Sequence, residues 1–314
     1  MNILVFGKNG QLGRAFQHQL EHSQFKKGNV IRYVGRNECN LAESSHITNL
    51  LQAFNPQLII NAAAYTAVDK AESESDLAFA INAVAPAEMA KYAEQYGATL
   101  LHFSTDYVFD GVKQGAYTEL DQTNPLGVYG KSKETGELAI TNTFANNTNG
   151  QYAILRTSWL YGDGDNFICT VLRLIKEKSD LQIVSDQYGA PTSANWLAEV
   201  GCNLVLDDVG SLRKINSGIY HAAPKGQTSW HGLASLVTQL AIDLGVPLKA
   251  NLAAIKAIPT SAYPTAAPRP MNSYLSTKKL EFELERLGLV SKLPHWNAPW
   301  DEQVNGYVRQ LVAG

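Results

Sequence analysis

The sequence predicts an α/β protein: a Rossmann-type, doubly wound parallel sheet with a smaller α/β C-terminal lobe for the substrate. Short apolar runs alternate with helix-length segments as far as Gly162, a pattern typical of parallel strands joined by helical crossovers. The first run also leads directly into a glycine turn and an amphipathic helix. We expect a dinucleotide-binding domain over residues 1–162 and a mainly substrate-binding lobe over residues 163–314, from which the chain can cross back to the sheet.

The glycine turn after the first apolar run has glycines spaced three apart, and a helix with leucine and phenylalanine every four residues follows it. Glycines let backbone N–H groups approach a pyrophosphate at the positive end of the helix. A tight turn that binds nothing is the alternative, but the strand before it and the helix after it favour a dinucleotide site. The residues expected to contact the dinucleotide here are Gly7, Gly10, Gln11, Leu12 and Gly13.

The second apolar run, Val30–Val34, is followed by Gly35 and Arg36 rather than by an acidic residue. An acidic side chain at this point holds the adenine ribose hydroxyls in folds that prefer NAD, whereas an arginine accommodates a 2′-phosphate. Arg36 therefore favours NADPH, with NADH as a second possibility, and a solvated arginine is the alternative interpretation. Asn40 and Leu41 are expected to flank the adenine.

The third apolar run, Leu58–Ile60, continues into a series of small residues. Small side chains at the carboxyl end of a strand let a cofactor lie close to the backbone, although tight packing of a helix on the sheet is an alternative explanation. The cofactor-contact candidates in this segment are Ala63, Ala64, Tyr65 and Thr66.

The most informative stretch runs from His102 to Glu137. Thr105 stands at the carboxyl end of the fourth strand, and Tyr129 and Lys133 are four residues apart, which places them on one face of a helix. A cation beside a phenol stabilises phenolate and lowers the phenol pKa from its usual ~10, so that the proton is given up more easily. Thr105 can hydrogen-bond the same substrate oxygen. Such a trio serves the reduction of a carbonyl group.

Composition excludes several functional classes. The 314 residues include 26 Lys and Arg against 29 Asp and Glu, a net charge of −3, so the basic surface that nucleic-acid binding needs is missing. The three cysteines form no Cys-x-x-Cys pair, and the pattern from His18 to His22 is better explained by a solvated helix surface than by a metal site. Strand-like sequence begins at Asn2, and no apolar run approaches the ~20 residues of a membrane span. We expect a cytoplasmic protein.

These motifs resemble those of the extended short-chain dehydrogenase/reductases and, within them, the dTDP-4-dehydrorhamnose reductase family. The resemblance covers nearly the whole chain, and its later motifs are far more specific than the widely shared glycine turn. The segments that carry it are Phe6–Gly13, Asn61–Glu72, Ser104–Phe109, Tyr129–Lys133, Arg156–Trp159, Asp186–Thr192, and Pro259–Pro264 with Arg269-Pro270.

The resemblance implies reduction of the C4 keto group of dTDP-4-dehydro-L-rhamnose by NADPH. It assigns the catalytic roles to Thr105, Tyr129 and Lys133, with Tyr129 as proton donor and Lys133 also holding the nicotinamide ribose. The Pro-rich stretch 259–270 is expected to be a loop over the substrate, and a core aromatic is the alternative interpretation of Trp159. The candidate substrate contacts are Val68, Ser104, Thr105, Asp106, Tyr107, Trp159 and Arg269.

The sequence departs from the motifs of related enzymes in two places, and each departure narrows the expected function or assembly. Sugar-nucleotide 4,6-dehydratases carry an acidic pair after the threonine, but here Tyr107 follows Asp106, so elimination lacks its base. Some family members dimerise through magnesium held by glutamates, and those positions are Ala15, Asn195 and Asn297 here. Because magnesium prefers carboxylate ligands, we expect no metal requirement and either a monomer or a metal-independent homodimer.

Two alternatives stay open at this point. The chain can be a reductase of another nucleotide-linked keto-sugar, or a non-catalytic NADP-binding regulatory subunit resembling that of methionine adenosyltransferase. The retained Thr/Tyr/Lys trio favours an enzyme. In either case a small nucleotide-linked ligand, rather than a nucleic acid or a membrane, is the expected partner.

Overall fold

The structure is a computed structural model that describes residues 1–21, 23–146, 149–293 and 295–313. The strands are, in chain order, β1 (Asn2–Phe6), β2 (Val30–Val34), β3 (Leu58–Asn61), β4 (Thr99–Thr105), β5 (Gln151–Thr157), β6 (Leu160–Tyr161), β7 (Leu181–Val184), β8 (Tyr188–Gly189), β9 (Thr192–Ser193), β10 (Gly218–His221), β11 (Thr228–Ser229) and β12 (Ile255–Ile258).

The α-helices cover both faces of the central sheet and build the smaller lobe. They are, in chain order, α1 (Gln11–Leu20), α2 (Ser23–Lys26), α3 (Ser44–Phe54), α4 (Val68–Ala71), α5 (Ser75–Phe79), α6 (Ala85–Tyr96), α7 (Val128–Phe144), α8 (Phe167–Glu177), α9 (Ala194–Val205), α10 (Trp230–Asp243), α11 (Lys278–Arg286) and α12 (Trp300–Ala313).

The central sheet has six parallel strands in the order β10-β5-β4-β3-β1-β2. Side chains of β1 alternate between two cores: Ile3 and Val5 pack on the side of α1 and α9, whereas Leu4 and Phe6 pack on the side of α3 and α6. Strands buried on both faces have continuous apolar sequences, which explains why the sequence pattern is clear. The predicted doubly wound parallel sheet is confirmed.

The chain returns to the sheet after residue 162. Strand β10 pairs with β5, and Leu197 of α9 and Leu280 of α11 belong to the same core as β1. The smaller lobe is built around the parallel pair β7–β12, against which α8, α10 and α12 pack through residues such as Leu172, Val237 and Val304. Residues 163–314 therefore contribute both to the lobe and to the central layer.

The segment after β3 is helical but is not one continuous helix. The structure divides it into α4, α5, a π-helical turn over Ala80–Val84, and α6. Pro86 lacks a backbone N–H and so cannot donate to the carbonyl of Asn82 four residues earlier, which accounts for the wider turn. Asn82 faces α7 there, and its Nδ2 donates to Ser132 Oγ at 3.0 Å.

Among the residues described, none of the helices has the length and apolar character that crossing a membrane requires.

Candidate active site

A cavity of about 800 Å³ lies at the carboxyl ends of β1, β3, β4 and β5. The order of strands reverses direction beside β1, and open α/β sheets bind ligands at this edge. Every residue that the sequence predicted for the cofactor, the substrate or catalysis lines the cavity, except Gly13. The sheet thus brings together segments that are far apart in the chain, from Gly7 to Arg269.

The glycine turn forms one end of the cavity. Gly7 has a φ of +88°, and a Cβ there would come within 2.8 Å of the Ala62 and Ala63 backbone. Gly13 serves packing instead of lining the cavity, because a Cβ on it would lie 1.9 Å from the Gly7 carbonyl oxygen. Helix α1 begins at Gln11 without a side-chain cap or an acidic residue in its first turn, so its N–H groups and positive dipole end are free to hold a phosphate.

Arg36 lies at the same end, exposed and on the cavity wall. Sequence reasoning overlooked Glu38, whose carboxylate accepts a hydrogen bond from Gly35 N at 2.9 Å and pairs with Lys8. The hydrogen bond from Lys8 and the one from Gly35 N hold the pKa of Glu38 below its usual value. Within the described part of the chain Arg36 has no carboxylate partner, so it is available to a phosphate.

The catalytic candidates meet where β4 ends beside α7. Thr105 donates to Asp106 Oδ1 at 3.0 Å and accepts from Tyr107 N at 3.1 Å, so its hydroxyl is fixed. Helix α7 comes close to this turn at Gly130, where a Cβ would lie 2.2 Å from the Tyr107 carbonyl oxygen. This close approach brings Tyr129 to the cavity wall next to Thr105.

The pKa values of Tyr129 and Lys133 differ from the sequence prediction. Lys133 Nζ donates to the Phe103 carbonyl at 2.6 Å, and burial lowers its pKa to about 8 while Glu137 opposes the change. Burial raises the pKa of the Tyr129 phenol, and the hydrogen bond with Thr105 offsets only part of that rise. The predicted lowering of the phenol pKa by Lys133 is therefore not found: burial raises that pKa, and Lys133 Nζ is directed at the Phe103 carbonyl.

Three buried oxygens line the cavity near the ends of β4 and β5. Ser104 Oγ, Asp106 Oδ2 and Thr157 Oγ1 have no partner within hydrogen-bonding distance among the described residues. Burial raises the pKa of Asp106 to about 6. Unpaired buried polar atoms are costly, so these three are candidates for contact with ligand hydroxyl or amide groups. Sequence reasoning missed Thr157, although it directly ends a strand next to Thr105 in the sheet.

An aromatic wall, Trp159 with Trp230, closes the side of the cavity toward the smaller lobe. Trp159 has a φ of +47°, a left-handed conformation that is unusual for a bulky residue. Trp230 Nε1 donates to Gln187 Oε1 at 3.1 Å, and Gly189 leaves room for the Trp159 ring, from which a Cβ would be 2.6 Å away. Sequence reasoning missed Trp230, because the residues next to it in the sequence form no motif that indicates a place in the cavity.

Arg269 reaches the cavity from the Pro-rich stretch 259–270, in which the regular structure is a 3-10 turn at Thr260–Ala262. Its guanidinium pairs with Asp69 at 2.7 Å and donates to the Tyr107 hydroxyl at 3.3 Å. Asp69 follows Val68 at the start of α4. These bonds attach the Pro-rich stretch to the cavity rim beside two predicted substrate contacts.

No cluster of three or more His, Cys, Asp or Glu side chains that could hold a metal ion occurs among the residues that the structure describes. His22, the second histidine of the sequence pattern, lies outside those residues. Of the three positions compared with magnesium-binding glutamates, Ala15 is buried in α1, Asn195 is exposed on α9, and Asn297 is partly exposed.

Comparisons with known proteins agree with this geometry. The family model described as the RmlD substrate binding domain matches residues 1–308. A dTDP-4-dehydrorhamnose reductase of Escherichia coli is 40% identical over 309 residues, which are 97% of this chain and 97% of that protein. A crystal structure of a dTDP-4-dehydrorhamnose reductase from Clostridium acetobutylicum superposes with a TM-score of 0.83 at 35% identity and covers 99% of each chain. That of the Bacillus anthracis enzyme in complex with NADP has a TM-score of 0.81 at 30% identity and covers 98% of each chain.

Proposed function

The chain belongs to the RmlD substrate binding domain family, and from that membership we propose that it reduces the C4 keto group of dTDP-4-dehydro-L-rhamnose to give dTDP-L-rhamnose. Two observations together carry the proposal. The chain is 40% identical to a named reductase over nearly its full length, and one cavity gathers Thr105, Tyr129 and Lys133. When bound, NADPH supplies the hydride. The remaining tasks, orientation of the sugar and delivery of a proton, fall to the side chains of this chain.

The residues of the cavity fit NADPH. The uncapped N-terminus of α1 and the glycine turn would hold the pyrophosphate, and Arg36 would hold the 2′-phosphate. The small residues after β3 leave space for the cofactor along the sheet edge, and Lys133 would hold the nicotinamide ribose. Glu38 is the first acidic side chain after β2, and it is bound by Lys8 and Gly35 N. It therefore does not compete with a 2′-phosphate for Arg36.

Tyr129 donates the proton that the C4 oxygen takes up as the carbonyl becomes an alcohol. Because burial raises its pKa, the phenol is fully protonated at neutral pH and is ready as the acid. Thr105, whose hydroxyl is held by Tyr107 N, would orient the carbonyl oxygen by turning its proton from Asp106 Oδ1 to that oxygen. Positioned proton transfer of this kind contributes ~10²–10⁴-fold to a rate.

The sugar nucleotide is proposed to lie between the β4 turn and the aromatic wall. Ser104, Asp106 and Thr157 offer buried oxygens for its hydroxyl groups, while Trp159 packs against an apolar face of the sugar. We propose that residues 1–162 hold NADP(H) and carry the catalytic trio, whereas residues 163–314 mainly bind the sugar nucleotide. Trp230 and Arg269, which reach the cavity from beyond residue 162, support that division.

We also propose a metal-independent enzyme, monomeric or homodimeric, that works in the cytoplasm. The absence of carboxylates at Ala15, Asn195 and Asn297 supports the first part, since magnesium prefers carboxylate oxygens. The need for an intracellular reductant supports the location.

The function is tested by following NADPH oxidation by the purified chain with a panel of nucleotide-linked keto-sugars. We expect oxidation with dTDP-4-dehydro-L-rhamnose and formation of dTDP-L-rhamnose, with no oxidation when the sugar is omitted. Faster turnover of another nucleotide or sugar would instead make the chain a reductase of that substrate. NADPH that binds but is oxidised by no member of the panel would favour the regulatory-subunit alternative.

A further inference from the structure

His102 lies next to Lys133 in a buried network, and the proposed mechanism gives His102 no role. The exposed fractions of His102, Asn61 and Lys133 are 0%, 1% and 2%. Asn61 Nδ2 lies 3.0 Å from His102 Nδ1, and His102 Nε2 lies 3.3 Å from Lys133 Nζ. The imidazole thus bridges an amide at the end of β3 and the amine of the catalytic helix α7.

The positions of the protons in this network follow from one backbone group. The N–H of Ala63 can only donate, and its partner at 3.3 Å is Asn61 Oδ1. The other end of the Asn61 amide is therefore its NH2 group, which donates to His102 Nδ1. Since a neutral imidazole carries one proton, Nδ1 is the acceptor and the proton lies on Nε2.

The Nε2–H group of His102 then points at Lys133. The amine already donates to the Phe103 carbonyl at 2.6 Å, and an ammonium has no lone pair with which to accept from Nε2–H. A neutral amine does both: it donates to the carbonyl and accepts from the imidazole. The tautomer of His102 therefore favours loss of a proton from Lys133.

We propose that His102 is a positioning residue that fixes the place and the proton affinity of the Lys133 amine, and that the Asn61 amide acts by setting the His102 tautomer. The proposal rests on the proposed function, in which Lys133 holds the nicotinamide ribose next to the proton donor.

Glu137 and Tyr129 of the same helix, and Arg156 of β5, are the other titratable or charged groups to consider around Lys133, and none of them sets its proton affinity in place of His102. Glu137 favours the ammonium form, but both of its oxygens accept from Arg156, at 2.9 and 2.6 Å, so its charge is compensated. Tyr129 is protonated at neutral pH because burial raises its pKa. Burial also keeps His102 neutral by holding its pKa well below the usual value. Lys133, with a pKa of about 8, is the member of this group that titrates near neutral pH.

The decisive variant is Asn61→Asp, which keeps an acceptor for Ala63 N and replaces the donating NH2 group by a carboxylate oxygen. The His102 proton then moves to Nδ1, and Nε2 becomes an acceptor for the ammonium of Lys133. We expect the alkaline limb of the pH–rate profile, where Lys133 loses its proton, to move upward by about one unit, because a hydrogen bond made by the charged form of a group favours that form. Asn251→Asp is the matched control, because that exposed residue caps a short turn through its Oδ1 and should leave the profile unchanged.

A second variant tests whether the effect of Asn61→Asp passes through the imidazole or comes from the new carboxylate acting directly on Lys133. In His102→Leu the alkaline limb should respond little to the added Asn61→Asp change, because the group that transmits it is gone. A full upward shift in the double variant would show that the carboxylate acts directly on Lys133, and it would overturn the proposal. An unchanged profile in Asn61→Asp alone would overturn it as well.

The tautomer is read directly from the ¹⁵N spectrum of protein labelled at histidine, with His102 assigned through His102→Leu or, if that variant does not fold, His102→Gln. We expect an unprotonated Nδ1 and a protonated Nε2 in the unaltered chain, and the reverse in Asn61→Asp. A protonated Nδ1 in the unaltered chain contradicts the proposal. Failure of that chain to reduce the keto-sugar would reject the proposed function instead, and the spectrum together with the pH dependence of NADPH binding would still test His102.

Discussion

The indole rings of Trp159 and Trp230 stack face to face, with centroids 3.7 Å apart and planes inclined by 11°. Trp159 has a positive φ, and such strain persists only where the surroundings hold it. Two neighbours do so: Trp230, anchored through Gln187, and Gly189, which has no side chain to occupy the place of the ring. The shape of the aromatic wall therefore depends on a glycine in the 186–192 motif.

Gly189→Ala should displace the Trp159 ring, because the new Cβ would lie 2.6 Å from it. We expect a higher KM for the sugar nucleotide, with NADPH affinity little changed, measured by steady-state kinetics and NADPH fluorescence. Gly306→Ala is the matched control: it meets open space in α12 and should stabilise the chain by roughly 0.5–1 kcal/mol. Unchanged sugar kinetics in Gly189→Ala would mean that Trp159 does not shape the site.

Tyr129→Phe should remove the proton donor and preserve the shape of the cavity. We expect kcat to fall by ~10²–10⁴-fold, with NADPH affinity nearly unchanged in a fluorescence titration. Lys133→Met should differ by weakening NADPH binding as well as turnover, since that amine is proposed to hold the ribose. A Tyr129→Phe enzyme that keeps more than about half of the original activity would contradict the assignment of Tyr129 as the proton donor, because removal of the acid should cost far more.

Arg36→Ala should weaken NADPH binding and leave NADH binding unchanged. Hydrogen bonds to charged groups contribute roughly 1.5–3 kcal/mol, which corresponds to about a ten- to hundredfold change in Kd. Titrations with both cofactors measure the ratio of the two Kd values. Arg173→Ala is the control, because Arg173 is exposed, pairs with Glu177 and does not line the cavity. If both cofactors weaken equally, or neither does, Arg36 does not contact the 2′-phosphate.

Asp106→Asn should stabilise the chain in a pH-dependent way. Burial raises the pKa of Asp106 from 3.8 to about 6 in the folded state, so folding stability falls as pH rises through that window, where the unfolded chain loses the proton first. The variant should match the original chain below about pH 4 and exceed it above about pH 6, by up to about 3 kcal/mol.

Denaturant unfolding across that pH range measures this effect. Asp180→Asn, at an exposed position, is the control and should show no such trend. A stability difference that is the same at both ends of the range would argue against an elevated pKa for Asp106. We expect the same Asp106→Asn variant to have lower activity, because Asp106 is proposed to bind the sugar.

Removal of divalent metal ions should leave the enzyme intact. Because Ala15, Asn195 and Asn297 supply no carboxylates, activity should survive prolonged treatment with EDTA. Sedimentation velocity should give the same species with and without magnesium. A magnesium-dependent dimer, or an EDTA-inactivated enzyme rescued by magnesium, would show that other carboxylates of the chain provide that site.

Much of the fold, and the gathering of the proposed cofactor contacts along one cavity, followed from local sequence. Buried parallel strands contain continuous apolar runs, so β1, β3, β4 and β5 can be recognised from their residues alone. The glycine turn is also a local feature, since a left-handed Gly7 and a close approach at Gly13 each require the absence of a Cβ. The spacing of Tyr129 and Lys133 determines that both lie on one face of α7, whatever surrounds that helix.

Tertiary structure alone decided the features that depend on burial or on distant partners. Strand β10 pairs with β5 across more than sixty residues of chain, and Trp230 meets Trp159 only because the lobe folds back onto the cavity. The pKa of Tyr129 is raised rather than lowered because burial penalises phenolate, and no spacing of residues encodes the extent of burial. The tautomer of His102 is set by Asn61, forty-one residues away. Local sequence determines which groups can share a helix face or a turn, whereas their solvation and their long-range partners exist only once the chain has packed.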